Sequence, residues 1–379
     1  MKKEDIAGLI MYLLIIAVAV IYSFTVLRVH FTYSTYNATV LSYALYVIVS
    51  VVSGIFLSAV FLEIGHIIGA KIGGYKIQSV NILYFNFYKE EDKWKFRFKS
   101  FDGLTGESKI LPKDEKSKPT PYLITPTILL ALLAIGGFVV FYVYNASHDI
   151  FGDLAYYMLT IAVIILIVLI YNLVPIKLDS KTDGYQLKII SGKNNKNVFN
   201  EMLTVGHAVE KGDKSVEVKE ELKEVNNITA ELSIDRVSIL LDEEKYDEAN
   251  QLIDKILENK HKVSAKNELR CLAIKIFIKA KTSSEEELVA YINENVDLSL
   301  RRSLSDDVSM SSIRAYILVA GLVDGSKSEY LISINKVTSA FKSISKERKA
   351  AEANMYNSVI ELINKKHPKW ELDKYRLVL

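Results

Sequence analysis

The strongest constraint in this sequence is a set of four long apolar stretches, at about residues 7–27, 39–69, 122–145 and 153–175. A helix rises about 1.5 Å per residue, so about 20 apolar residues match the hydrocarbon thickness of a bilayer. Backbone in hydrocarbon must satisfy its own hydrogen bonds, which makes helices the natural form for such stretches. They also account for the composition: 50% of the 379 residues are hydrophobic although 24% are charged. The first stretch follows Lys2 and Lys3, as a secretory leader would. Its core is longer than a leader's and no small-x-small cleavage site follows, so it reads as a retained anchor.

Lysine and arginine set the expected orientation. The segment between the second and third spans carries Lys71, Lys76, Lys93, Lys95, Arg97, Lys99, Lys109 and Lys113, and the segment after the fourth opens with Lys177 and Lys181. The opposite side offers only Arg28, with no lysine or arginine in 146–152. The N-terminus, the 71–121 loop and everything after residue 176 are therefore expected in the cytoplasm, with the protein in a cell membrane of bacterial type. The net charge of +2 gives no basis for nucleic-acid binding. The single cysteine, Cys271, excludes an internal disulfide and a cysteine-rich zinc site, and its apolar helical surroundings mark it as a buried thiol.

Residues 76–101 read as a β-hairpin. Trp94, Phe96 and Phe98 alternate with Lys95, Arg97 and Lys99, the period of a half-buried strand. The run Ile82–Tyr88 is its expected partner, with the turn at Glu90-Glu91-Asp92. Such a hairpin fits an interfacial element, an edge offered to an extended peptide, or a small sheet packed on helix ends. Residues 185–227 read as a polar connector, with a charged run from Glu217 to Glu224. From 228 onward the pattern is helical. Leu252, Ile253, Ile256 and Leu257 share a face, as do Leu269, Leu272, Ala273, Ile276 and Phe277. Ser284 with Glu287 forms a capping box, and Gly325 with the 326–328 turn separates two later helices. Leu241–Ala249 is similar to the inter-helix turn of a tetratricopeptide repeat over about one repeat, so the tail reads as a helical, repeat-like domain suited to a cytoplasmic protein partner. The expected architecture is mainly α: a membrane domain over 1–184, the connector, and a helical domain over 228–379.

The chemical signal is Leu62-Glu63-Ile64-Gly65-His66, near the end of the second span. It matches the zinc-protease sequence His-Glu-x-x-His except that Leu62 stands at the first histidine. In that motif two histidines four apart point from one helix face at one metal, and the glutamate activates a metal-bound water. Ionisable side chains at membrane depth are costly, which singles out Glu63 and His66, while Gly65 and Gly69 permit close approach of another helix.

The end of the fourth span supplies a second piece, Asn172-Leu-Val-Pro175 followed by Asp183-Gly184. With these two elements the chain resembles the site-2 protease group of intramembrane zinc metalloproteases (peptidase family M50) over about residues 39–187. The resemblance implies Glu63 as general base, His66 and Asp183 as zinc ligands, and Asn172 as a group that holds substrate backbone or the aspartate loop. Asp179 also follows the Asn-x-x-Pro, and nearer the usual spacing; Asp183 has the glycine after it and is preferred. The departure is Leu62, which has no lone pair to give. Catalytic zinc normally keeps three protein ligands and a water. The other histidines are His30, His148, His207, His261 and His367; the first two are expected outside and the last three in the tail. A third carboxylate role for Glu63, as ligand, would consume the base. The functional expectation is a site-2-protease-like membrane protein acting on a transmembrane segment or small peptide. Its alternatives are a pseudoprotease that binds a membrane peptide or signalling partner, and an accessory or immunity subunit of a peptide exporter.

Overall fold

The computed structural model describes residues 3–28, 40–90, 93–98, 108–146, 150–175, 182–192, 195–217 and 224–378. The chain divides into two compact units, Met1–Asn200 and Glu201–Leu379.

The first unit is built on four helices long and apolar enough to cross a membrane, with apolar cores Gly8–Leu27, Ala44–Ile72, Pro119–Tyr144 and Gly152–Leu173. We label them α1 (Lys3–Tyr22, continued by a π turn to Leu27), α2 (Val40–Ile72), α3 (Pro119–Tyr144) and α4 (Ile150–Leu173). Their outward faces carry Leu13, Ile21, Val52, Ile128, Leu132 and Val139, an oily surface rather than a charged one. Helices α2, α3 and α4 pack on one another through small residues. A Cβ on Gly54 would meet the Ile164 side chain at 2.9 Å, and one on Gly137 would meet Ala162 at 2.8 Å. Polar ties between the helices include Tyr157 donating to Ser53 Oγ at 2.7 Å and the Tyr22 and Thr160 hydroxyls 3.0 Å apart.

Between α2 and α3 runs a four-stranded antiparallel sheet, β1 (Tyr75–Ile82), β2 (Phe85–Glu90), β3 (Lys93–Phe98) and β4 (Lys109–Pro112), in the order β3-β2-β1-β4. The expected single hairpin is therefore half of the sheet, and its expected first strand is two strands. Ile82 pairs with Phe85 across a two-residue turn in which Leu83 has φ 53°. Turns of this kind normally announce themselves with glycine or asparagine, and an apolar Leu-Tyr turn hides inside the run Ile82–Tyr88. The β2–β3 pairing sets Phe85 opposite Phe98, Phe87 opposite Phe96 and Lys89 opposite Trp94, which places five aromatic rings on one face. That face is not half-buried as expected: Trp94 is 52% exposed and Phe98 73%. The rings touch mainly one another, with Phe87 and Phe96 centroids 5.3 Å apart. The expected turn at 91–92 lies outside the described residues.

Helices α5 (Asp183–Ile190) and α6 (Asn195–Glu210) occupy much of the expected connector. Ile190, Val198 and Phe199 are buried, and Asn200 bridges Tyr75 and Ser117, accepting from the former at 2.5 Å and donating to the latter at 2.8 Å. The polar composition of this stretch concealed a thin apolar stripe. Of the charged run, 218–223 lies outside the described residues.

From residue 227 the described part of the second unit is built of helices: α7 (Asn227–Asp242), α8 (Tyr246–Glu258), α9 (Ala265–Thr282), α10 (Glu285–Asn295), α11 (Leu298–Asp306), α12 (Met310–Leu318, continued by a π turn to Val323), α13 (Lys327–Ser343) and α14 (Lys349–Lys366). Ile253, Ile256, Leu272, Ala273, Ile276 and Phe277 join one continuous core, as their spacing predicts. The Ser284–Glu287 capping box forms, and Leu241–Ala249 holds the turn between α7 and α8. The turn at Gly325 is tighter than expected, because Ser326 already caps α13.

Candidate functional site

Glu63 and His66 face the interior of the first unit, 1% and 8% exposed, on the last turns of α2. The close approach that puts them there depends on three glycines spaced four apart. A Cβ on Gly65 would fall 2.4 Å from Pro126 Cα, one on Gly69 2.3 Å from the Pro121 carbonyl oxygen, and one on Gly73 2.4 Å from the Lys118 carbonyl oxygen. Glycine alone leaves room for backbone against backbone at such a contact. The start of α3 thus lies along the end of α2, and Tyr122 reaches the histidine.

His66 Nδ1 donates to the Tyr122 carbonyl at 3.1 Å, and the two rings lie 4.6 Å apart. A carbonyl on one ring nitrogen fixes the tautomer and aims the other. His66 Nε2 is aimed at Asp183 Oδ2, 3.5 Å away. Asp183 opens α5 directly after the N-cap Thr182, whose hydroxyl donates to the Val174 carbonyl at 2.8 Å and so ties the helix to the end of α4. Asn172, on the last turn of α4, grips the aspartate twice: its amide donates to Asp183 Oδ2 at 2.6 Å, and its carbonyl accepts from Asp183 N at 3.2 Å. Gly184 makes this junction possible, since a Cβ there would lie 1.8 Å from the Leu173 carbonyl oxygen. Burial pushes the Asp183 carboxyl up, and the His66 charge and the Asn172 hydrogen bond pull it down. A buried carboxylate against an imidazole nitrogen needs a proton or a cation between them.

Glu63 points elsewhere in its bonding: its Oε2 accepts a short hydrogen bond from the Ser108 hydroxyl, just before β4. Tyr122 closes this corner, its hydroxyl reaching the Ser108 carbonyl at 3.5 Å. Leu62, one helical turn before His66, lies in an apolar cluster with Leu130, Ala134, Ile161, Ile165 and Val168. It is 6% exposed, so the position that would carry a first histidine is occupied by packed hydrocarbon.

The fold brings together His66, Asp183 and Asn172, residues distant in sequence. Asp179, His30 and His148 lie outside the described residues. His207, His261 and His367 belong to the second unit; His367 Nε2 engages the Gly321 carbonyl at 2.8 Å. Sequence reasoning missed Ser108, Tyr122 and Thr182. Thr182 carried a usable signal as a helix-capping residue ahead of Asp183-Gly184, whereas Ser108 and Tyr122 carried none.

Zinc coordination is testable against the donor set. Two potential donors, His66 Nε2 and Asp183 Oδ2, lie 3.5 Å apart, with a carbonyl on the far ring nitrogen of the imidazole. A catalytic zinc needs a third protein ligand. Among the described residues no group of three His, Cys, Asp or Glu side chains is placed to hold a metal. With Leu62 sealed among aliphatic side chains, the described residues offer two of the three protein donors that a catalytic zinc requires.

No protein-family model, no curated protein and no solved structure matches this chain.

Proposed function

We propose that this protein is a membrane-embedded pseudoprotease on a site-2-protease-like scaffold, which binds a transmembrane segment or extended peptide and does not hydrolyse it. The observation that carries the reading is the pairing of His66 with Asp183 at 3.5 Å, gripped by Asn172, beside a packed Leu62. In this reading the His66–Asp183 pair is the remnant of a zinc site, and Leu62 is the hydrocarbon that stands in place of its third donor. Four membrane-length helices support placement in a bilayer, and the excess of lysine and arginine in 71–121 supports a cytoplasmic sheet. The edge strand β3 and its exposed aromatic face support docking of an extended segment by strand addition. In this reading Asn172 and Asp183 hold polar backbone of an unwound segment, and Glu63, held by Ser108, is a buried structural carboxylate.

The test uses the purified full-length protein in detergent with zinc, mixed with a model single-span peptide carrying a photo-crosslinker. Cross-linking without cleavage is expected. Cleavage that disappears in Glu63→Gln would establish a working protease and overturn the reading.

A further inference from the structure

The four-stranded sheet does not extend away from the end of α2 but turns back along it. Tyr75, at the start of β1, pairs with Pro112 just past the end of α2, where Lys118 N donates to the Gly73 carbonyl at 2.8 Å. Further along β1, Ser79 pairs with Lys109. The residue before Lys109 is Ser108, whose hydroxyl donates to Glu63. Glu63 precedes Ile72, the last residue of α2, by nine positions, about 13 Å of helix. The inner strands β1 and β4 therefore lie against α2 and run from its end back toward its middle, and the β1–β2 turn at Leu83-Tyr84 continues that course. The apolar core of α2 has 29 residues, about 43 Å of helix, against about 30 Å of hydrocarbon. The excess carries helix turns to headgroup level, and Lys71 marks that level at this end.

The chemistry of the hairpin follows the same direction. At the folded-back end stand Tyr84, 62% exposed, and the opposed pair Phe85 and Phe98, with rings 5.8 Å apart. Phe87 opposite Phe96 comes next, and then Trp94 opposite Lys89, whose ammonium lies 5.5 Å from the indole centroid. The sequence of the β2–β3 connection is charged at every position from Lys89 to Lys93. Polarity thus rises along the aromatic face, away from the folded-back end. The other face pairs its polar groups: the buried Asn86 donates to Asn81 and accepts from Arg97 Nε at 2.8 Å, Arg97 stacks over Tyr88, and Lys95 pairs with Glu90. Exposed rings that grade into a charged end match the membrane–water boundary, where aromatic side chains concentrate.

We propose that the aromatic face of the β2–β3 hairpin rests in lipid at the headgroup–acyl boundary, with the Leu83-Tyr84 end deepest and Trp94 shallowest. A bilayer imposes a polarity gradient along its normal, and a protein partner requires none, so lipid is the occupant. The assignment rests on the bilayer placement proposed above and deepens it. The main-chain edge of β3 is distinct from the ring faces, and lies beside them at the level where an unwound transmembrane segment would meet it.

Tryptophan fluorescence tests this, because Trp94 and Trp370 are the only two tryptophans. The full-length protein is reconstituted in phosphatidylcholine vesicles, unbrominated or brominated on the acyl chains, and Trp94→Phe subtracts the Trp370 signal. Most of the Trp94 emission should be lost in brominated vesicles, and little of it to aqueous acrylamide. In the Trp94→Phe background, Phe98→Trp should be quenched best by bromines deeper in the chain than those that best quench Trp94. Trp94 quenched by acrylamide and not by bromine would place the face in water. Emission shielded from both quenchers would place protein on it, and the reverse order of depths would invert the hairpin. Each of these results overturns the assignment and leaves the bilayer placement standing. A chain that alkaline carbonate strips from the vesicles would overturn both.

Discussion

Leu62→His asks whether the scaffold is a zinc site short of one donor. Leu62 is 6% exposed and packed among Leu130, Ile161, Ile165 and Val168. Removing it from this cluster forfeits about 1.5–3 kcal/mol of apolar burial. An imidazole left there without a partner adds a penalty of about 1–3 kcal/mol. Without metal, the variant should be less stable by roughly 3–5 kcal/mol, little of it recovered by relaxation because the neighbours are branched and close-packed. Zinc should reverse this. A ligand at about 100 times its dissociation constant stabilises by about 2.7 kcal/mol, and at about 1,000 times by about 4.1 kcal/mol. Thermal unfolding in detergent, with chelator and then with zinc, reads both effects. Leu62→Asn is the control: a similar loss with no zinc rescue. The reasoning fails if zinc does not raise the melting temperature of Leu62→His, or if it rescues Leu62→Asn or stabilises the unchanged protein by as much.

The glycine contacts rank three further substitutions. Gly184→Ala, with its Cβ 1.8 Å from a carbonyl oxygen, and Gly65→Ala, 2.4 Å from Pro126 Cα, should each destabilise by more than about 2 kcal/mol, whereas Gly136→Ala, with nothing within 4 Å, should change stability by less than about 1 kcal/mol; melting temperatures check the order. Burial pushes the Cys271 thiol up to about 12, so iodoacetamide should leave it unmodified in the native protein near pH 8 and alkylate it after unfolding, as mass spectrometry would read. Arg348→Ala strands the buried carboxylate of Asp242 and should cost the second unit about 3–5 kcal/mol, measured by denaturant unfolding.

The helices were legible because their signals are long. Spans of twenty or more apolar residues, and the periodic faces of α8 and α9, survive any local irregularity. The His66–Asp183 pairing was legible only through a resemblance, since no spacing rule joins residues 117 positions apart. The glycines at 65 and 69 announced a close neighbour, and Pro121 and Pro126 on α3 are that neighbour. What escaped was short-range or buried in continuous composition. The Leu83-Tyr84 turn interrupts an apolar run without a glycine, so two strands read as one. The α5–α6 region looks polar because only a few positions, Ile190, Val198 and Phe199 among them, face inward. Ser108 carries no motif at all, and its role follows solely from where β4 meets α2.

Metal content of the unchanged protein tests the central claim most directly. The full-length chain, purified in detergent with zinc present and then exchanged into metal-free buffer, should contain zinc well below stoichiometry by plasma mass spectrometry, with the same residual content in His66→Ala. Stoichiometric zinc in the unchanged chain, lost in His66→Ala and in Asp183→Ala, would contradict the account and show that a third donor completes the site.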